Sequence, residues 1–176
     1  MRYLWHMLFA LLPACQLAPA ADETSPTYPV PAGSQLVLSQ PLTIPGGSTG
    51  VRLQGGQVKN PKDVNEWYPN CRLEVRTLSD AARTVDTDRF EVVRVRREVA
   101  VAAGLGDRYL KRVSDNGVPS FVVFRTTLDL RSARQPDVAW LTCQHWGNPA
   151  LGRDLSIREI RVALGDIITL DLPAGR

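Results

Sequence analysis

Apolar and polar residues alternate with a period of two over most of the chain beyond residue 34. The clearest case is CRLEVRTL at 71–78, with Cys71, Leu73 and Val75 on one face and Arg72, Glu74 and Arg76 on the other. Such alternation marks an antiparallel strand with one buried face. QLVLS at 35–39 and VRLQG at 51–55 read as shorter strands, and the prolines and glycines of PLTIPGGSTG punctuate a turn between them. RFEVVRVRREVAVA at 89–102 is longer; its apolar phase shifts after Val92, which predicts a bulge or a break. SFVVFRTTLDL at 120–130 is β-rich with a change of phase near Arg125, and DNG at 115–117 marks the turn before it. VAWLTCQHW at 138–146 sets Ala139, Leu141 and Cys143 on one face. One segment breaks the period. In LSIREIRVALG at 155–165, Ser156 precedes Glu159 at capping-box spacing, Ile157, Ile160 and Leu164 recur as on a helix, and Gly165 can end it. DIITLDL closes as a strand. The predicted fold is mainly β, an antiparallel β-sandwich or open barrel with one short α-helix near the C-terminus.

The first residues follow a different rule. LWHMLFALLPA at 4–14 is an apolar run of signal-peptide length behind a single arginine, too short to span a bilayer. Two cleavage sites compete. Leu12-Pro13-Ala14-Cys15 resembles a lipoprotein processing site, which would leave a leader of 1–14 and a lipid on Cys15, although Pro13 departs from the usual small residue. Ala18-Pro19-Ala20 is an A-x-A site that would leave a leader of 1–20. Position two of a lipidated chain would be Gln16, not the Asp that holds lipoproteins at the inner membrane. Either site exports the protein to the periplasm, and the first anchors it at the outer membrane. Residues 21–34, with prolines at 26, 29 and 31, read as an extended, poorly packed tether, and 35–176 as a single β-rich domain.

Composition narrows the function by exclusion. The net charge is +3, and the basic residues, nearly all arginine, are interleaved with acids rather than massed, so nothing argues for nucleic acid as a partner. Of three cysteines, removing Cys15 by lipidation or cleavage leaves Cys71 and Cys143, both on apolar strand faces. In an oxidising compartment such a pair forms a disulfide. His145 is the sole imidazole beyond the leader, and no nucleophile motif accompanies it. Cys143 and His145 lack metal-ligating partners at recognisable spacing. Asp86 and Asp88 have calcium-loop spacing without the glycine and terminal glutamate such a loop needs. GLGDR at 104–108 lacks a phosphate-loop pattern and reads as a loop. No catalytic, cofactor-binding or metal-binding residue is assigned, and no cofactor is expected.

Two features are candidate binding surfaces. The polar loop 55–71 carries Trp67 and Tyr68 ahead of the Cys71 strand, where they face a glycan or partner protein or fold back as a lid on the sheet edge. Arg72, Arg76, Arg94 and Arg96 form an outward basic stripe for lipid phosphates if their strands are neighbours, and otherwise a charge-laced solvated face. YPNCRLEVR, WLTCQHW and LSIREIRVALGDIITLDL together resemble small exported β-rich proteins of Gram-negative bacteria. The resemblance implies an envelope address and supplies no activity or site residues. The expected function is therefore a non-enzymatic envelope protein whose periplasm-facing domain binds or stabilises another envelope component, whether protein, glycan or lipid. An envelope-polymer hydrolase and a small-ligand carrier are the alternatives.

Overall fold

A computed structural model describes residues 22–100 and 121–174. Its strands are β1 (Gln35–Leu38), β2 (Leu42–Ile44), β3 (Ser48–Gln54), β4 (Gln57–Lys59), β5 (Asn70–Ser79) and β6 (Arg83–Val85). The longer strands β7 (Asp88–Ala100), β8 (Val122–Arg131) and β9 (Val138–Gly147) follow, then helix α1 (Ile157–Leu164) and β10 (Ile168–Asp171). Eight strands form one curled antiparallel sheet in the order β10-β1-β7-β8-β9-β5-β3-β4, and β2 pairs with β6 in a separate two-stranded sheet. The architecture is thus the open-barrel form of the mainly β fold, a half-barrel with one helix near the C-terminus. Among the described residues no helix is long and apolar enough to cross a membrane.

Alternation decides which face is buried. Cys71, Leu73 and Val75 on β5, Leu141 and Cys143 on β9, and Leu128 and Leu130 on β8 all point to the inner face and are buried. On β7 the register shifts between Val92 and Arg94. The extra residue, Val93, is left exposed, and Val95 returns to the core side after Phe90 and Val92. No comparable shift occurs in β8, contrary to the phase change expected near Arg125. β8 pairs without interruption from Val122 to Asp129 against β9, and Thr126 takes the inward position at 1% exposure. The apparent change arises because Val123, on the outer face, is apolar and buried opposite Trp146. PLTIPGGSTG is more than a turn as well: Leu42 and Ile44 point inward from β2 and pair with β6.

The helix seals the half-barrel. Ser156 accepts a hydrogen bond from the Glu159 N–H while the Glu159 side chain returns to the Ser156 N–H, so the capping box forms as its spacing predicts. Ile157, Ile160, Ala163 and Leu164 pack into the core. At one end of the sheet, Arg161 donates through Nε and Nη2 to the Leu170 carbonyl of β10, at 3.1 and 2.8 Å. At the other, the Gly56 N–H in the β3–β4 turn donates to the Ala163 carbonyl at 3.1 Å. Gly165 ends the helix at φ +56°, so close to that turn that a Cβ there would lie 2.3 Å from the Gly56 Cα. Only glycine fits both the conformation and the contact.

Residues 22–34 run through hydrogen-bonded turns, Ser25 to Asp22, Tyr28 to Ser25 and Ser34 to Pro31, and are not the extended, loosely packed spacer their prolines suggest. Val30 is 2% exposed and part of the core. Gly33 donates to the Val92 carbonyl, and the Ser34 carbonyl accepts from Val92, so the segment joins β7. Arg97 donates to the carbonyls of Pro26 and Tyr28, both at 2.9 Å, and Glu23 pairs with Arg161. The segment is a strap across the domain, because its few apolar side chains find sites there and its carbonyls find an arginine.

Candidate functional site: the outer face of the sheet

Register places the outward residues of the central strands in rows. Asn70 lies opposite Gln144, Gln144 opposite Arg125 and Arg125 opposite Glu98, so one polar row crosses β5, β9, β8 and β7. In the next row Arg52 faces Arg72, Arg72 faces Thr142, Thr142 faces Thr127 and Thr127 faces Arg96. β5 and β7 are not neighbours; β9 and β8 lie between them. Arg72 and Arg96 are therefore about 14 Å apart across three inter-strand spacings, and the proposed basic stripe does not assemble. Each is paired with an acid, Arg72 with Glu74 at 3.0 Å and Arg96 with Asp129 at 2.6 Å. Arg76 lies over the Trp140 ring, 5.2 Å from its centroid, and Arg94 is exposed on β7. The result is a charge-laced sheet face, since Arg72 and Arg96 each pair with an acid of the neighbouring row.

The loop that carries Trp67 is bound down onto this face. Gln54 holds Asn65 through both backbone groups, donating to its carbonyl at 2.8 Å and accepting from its N–H at 3.0 Å. The Trp146 N–H donates to the Glu66 carbonyl at 2.7 Å. The Glu66 carboxylate accepts from Arg52 at 2.8 Å, Gln144 at 3.1 Å and Asn70 at 3.3 Å. Asn70 is 1% exposed and also receives Arg52 at 3.0 Å. Beyond Gln144 the connections continue: Arg125 donates to Gln144 at 3.3 Å and to Glu98 at 2.9 Å. One network therefore ties five strands to a loop, buried at Asn70, half-buried at Arg52 and Glu66 and open to solvent at its Glu98 end.

That network positions an aromatic cluster. Phe121 stacks on Trp146 with centroids 4.8 Å apart, and Trp67 meets Trp146 edge-on at 5.7 Å and Phe121 at 5.6 Å. These are the separations at which aromatic pairs attract beyond simple burial. The loop folds back as a lid over the sheet, yet Trp67 and Tyr68 remain 54% and 64% exposed. Of this cluster, the sequence alone singled out Trp67 and Tyr68 and missed Phe121, Trp146, Glu66 and Gln144. The signal for Trp146 was present in VAWLTCQHW, because it has the opposite parity to the buried Cys143 and so had to point outward.

The remaining candidates are accounted for structurally. Cys71 and Cys143 form a disulfide between register partners on β5 and β9, both fully buried. His145, on the inner side, directs Nδ1 to the Trp146 carbonyl at 3.0 Å and Nε2 to the Arg153 carbonyl at 2.8 Å, and it stacks on Phe124. Asp86 and Asp88 frame a turn closed by Gln135, which bonds the Asp86 backbone through both its amide atoms. Burial pushes the Asp88 carboxyl up, but hydrogen bonds from Ser132, the Arg89 N–H and Gln135, with the charge of Arg134, outweigh it and hold the carboxyl below its usual value. Asp22, bonded by the Thr24 hydroxyl, and Glu159, bonded by Arg153, are also held low. Such carboxylates stay ionised at neutral pH and are poorly suited to donate a proton. Among the described residues no group of three or more His, Cys, Asp or Glu side chains could hold a metal ion. Cys15 and the GLGDR loop at 104–108 lie outside the described residues. No protein-family model matches the chain, and neither a curated protein nor a solved structure matches it.

Proposed function

We propose that this is a non-catalytic envelope protein whose periplasm-facing β domain binds another envelope component through the cluster of Trp67, Phe121 and Trp146. The observation that carries the reading is Trp67 itself. Its backbone is fixed on both sides, by Gln54 through Asn65 and Trp146 through Glu66 before it and by Asn70 at the Tyr68 carbonyl after it, while the residue is 54% exposed. A rigid exposed indole loses little side-chain entropy on binding and contributes a large contact area, which is why tryptophan dominates binding hot spots. The address comes from the leader: export by either cleavage site, with a lipid on Cys15 where the lipoprotein site is used. The inner side of the half-barrel is filled by α1 and the core, so the surface for a partner is the outer one.

Chemical crosslinking in intact envelopes, followed by recovery of the protein, tests the reading. Wild-type chain is expected to recover an envelope component that Trp67→Ala loses, with both variants equally folded by circular dichroism. Equal recovery by the two would remove the aromatic cluster as the binding surface.

A further inference from the structure

Resting on that binding reading, we propose that the occupant of the aromatic cluster is a glycan, with a sugar ring on Trp67 and neighbouring units running along the row of Gln144, Arg125 and Glu98. The cluster has two kinds of surface side by side. Trp67 offers a flat apolar face that suits the C–H face of a pyranose. The adjacent row offers planar polar groups, the Arg125 guanidinium as donor and the Glu98 carboxylate as acceptor, with side chains 34% and 55% exposed. Hydroxyl groups both donate and accept, so a sugar edge matches a row in which donors and acceptors alternate. Gln144 bonds Arg125 on one side and Glu66 on the other, which fixes the row relative to the indole. The strands are about 4.8 Å apart, close to the length of one pyranose unit, so successive sugars meet successive strands.

A protein partner fits this face less well. A stable protein interface covers about 800 Å² on each side around an apolar centre depleted in charge. Here the apolar part is a few rings, and among the described residues the sheet beside it carries charges already paired with one another: Arg52–Glu66, Arg72–Glu74 and Arg96–Asp129. Burying those pairs under a second protein removes their water without supplying better partners. An oligosaccharide covers the rings and one row and leaves the other pairs solvated.

Titrating the mature chain with two glycans, muramidase-solubilised peptidoglycan fragments and lipid-free core oligosaccharide of lipopolysaccharide, tests the proposal by tryptophan fluorescence. Saturable binding is expected with one of them, and the responding arm identifies the source. Trp67→Ala should weaken it at least tenfold, Trp67→Phe by less, Glu98→Gln severalfold, and Arg72→Ala not at all. If neither glycan binds while a Trp67-dependent crosslink identifies a protein, the glycan is overturned and the binding surface stands. If neither binds and no crosslink depends on Trp67, both fall. Binding that is indifferent to Trp67 places the glycan elsewhere and also overturns the proposal.

Discussion

Cys71 and Cys143 are register partners on adjacent strands, and the residues next to them on the opposite face, Asn70 and Gln144, are register partners too. The disulfide on the inner face therefore underlies the polar row that holds the Trp67 loop on the outer face. Core and candidate site share one pair of strands at this point.

This makes the staple's contribution measurable in two places. Closing a loop across 72 residues contributes about 4 kcal/mol on the chain-entropy argument. Replacing both cysteines by alanine is expected to lower the unfolding free energy in urea by about that amount. Because Asn70 and Gln144 move with the strands, the near-ultraviolet dichroism of the tryptophans should weaken as well. Both sulfurs are at 0% exposure, so a mild reductant should reach them only through global unfolding. Rapid alkylation of both thiols in reductant without denaturant is the contrary result.

A second prediction concerns acid. Glu159 is held at a pKa of about 2, first by the two-pronged hydrogen bond from Arg153 and then, against the opposing effect of burial, by the N–H and hydroxyl of Ser156. Its folded value lies below the ordinary 4.5. The folded state therefore binds this proton less readily than the unfolded chain, and the linked stability is present above about pH 4.5 and disappears as pH falls toward 2. Arg153 is half exposed, so the ion pair is screened, and the capping box as a whole is worth roughly 1–2 kcal/mol. Glu159→Gln is expected to cost that much at pH 7 and to remove this part of the acid sensitivity. Parallel stability curves for the two proteins between pH 5 and pH 2 would show that the carboxylate has no such role.

How far the sequence could be read depends on the range of the interaction involved. CRLEVRTL and WLTCQHW revealed their buried faces because each strand is covered on one side only, and Ser156 with Glu159 revealed the helix start because a capping box is complete within four residues. The β7 bulge was legible for the same local reason. Sheet order was not. Nothing in the alternation of β5 or β7 says that β9 and β8 stand between them, and the arginine stripe failed on that point alone. The aromatic cluster joins Trp67 to Phe121 and Trp146, residues far apart in sequence that meet only because β8 and β9 pair. Val123 misled the phase of β8 because an outward apolar residue covered by a distant aromatic looks, locally, like a strand that has turned over.

The proline-rich segment 22–34 gives the last prediction. Prolines set an extended backbone, but whether such a chain is free depends on what its other residues touch. Here Val30 is buried, Pro26 and Tyr28 accept the Arg97 Nη1 and Nη2 hydrogen bonds, Asp154 lies 3.6 Å from Nη1, and among the described residues the buried Arg97 Nε has no hydrogen-bond partner. Removing the strap exposes core at the Val30 site, worth roughly 1.5–3 kcal/mol, and takes two acceptors from a guanidinium already short of them, worth about 1–3 kcal/mol more. A chain beginning at Ala32 should accordingly unfold at lower urea than one beginning at Ala21, by at least about 2.5 kcal/mol in stability. Glu23→Ala alone should cost under about 1 kcal/mol, because Arg161 keeps its two bonds to the Leu170 carbonyl. If Cys15 carries a lipid, the spacer between membrane and domain shortens to residues 16–21, a reach of about 20 Å at full extension, and the domain is held close to the bilayer. Superimposable urea curves for the two chain lengths would return 22–34 to the status of a tether and lengthen that reach accordingly.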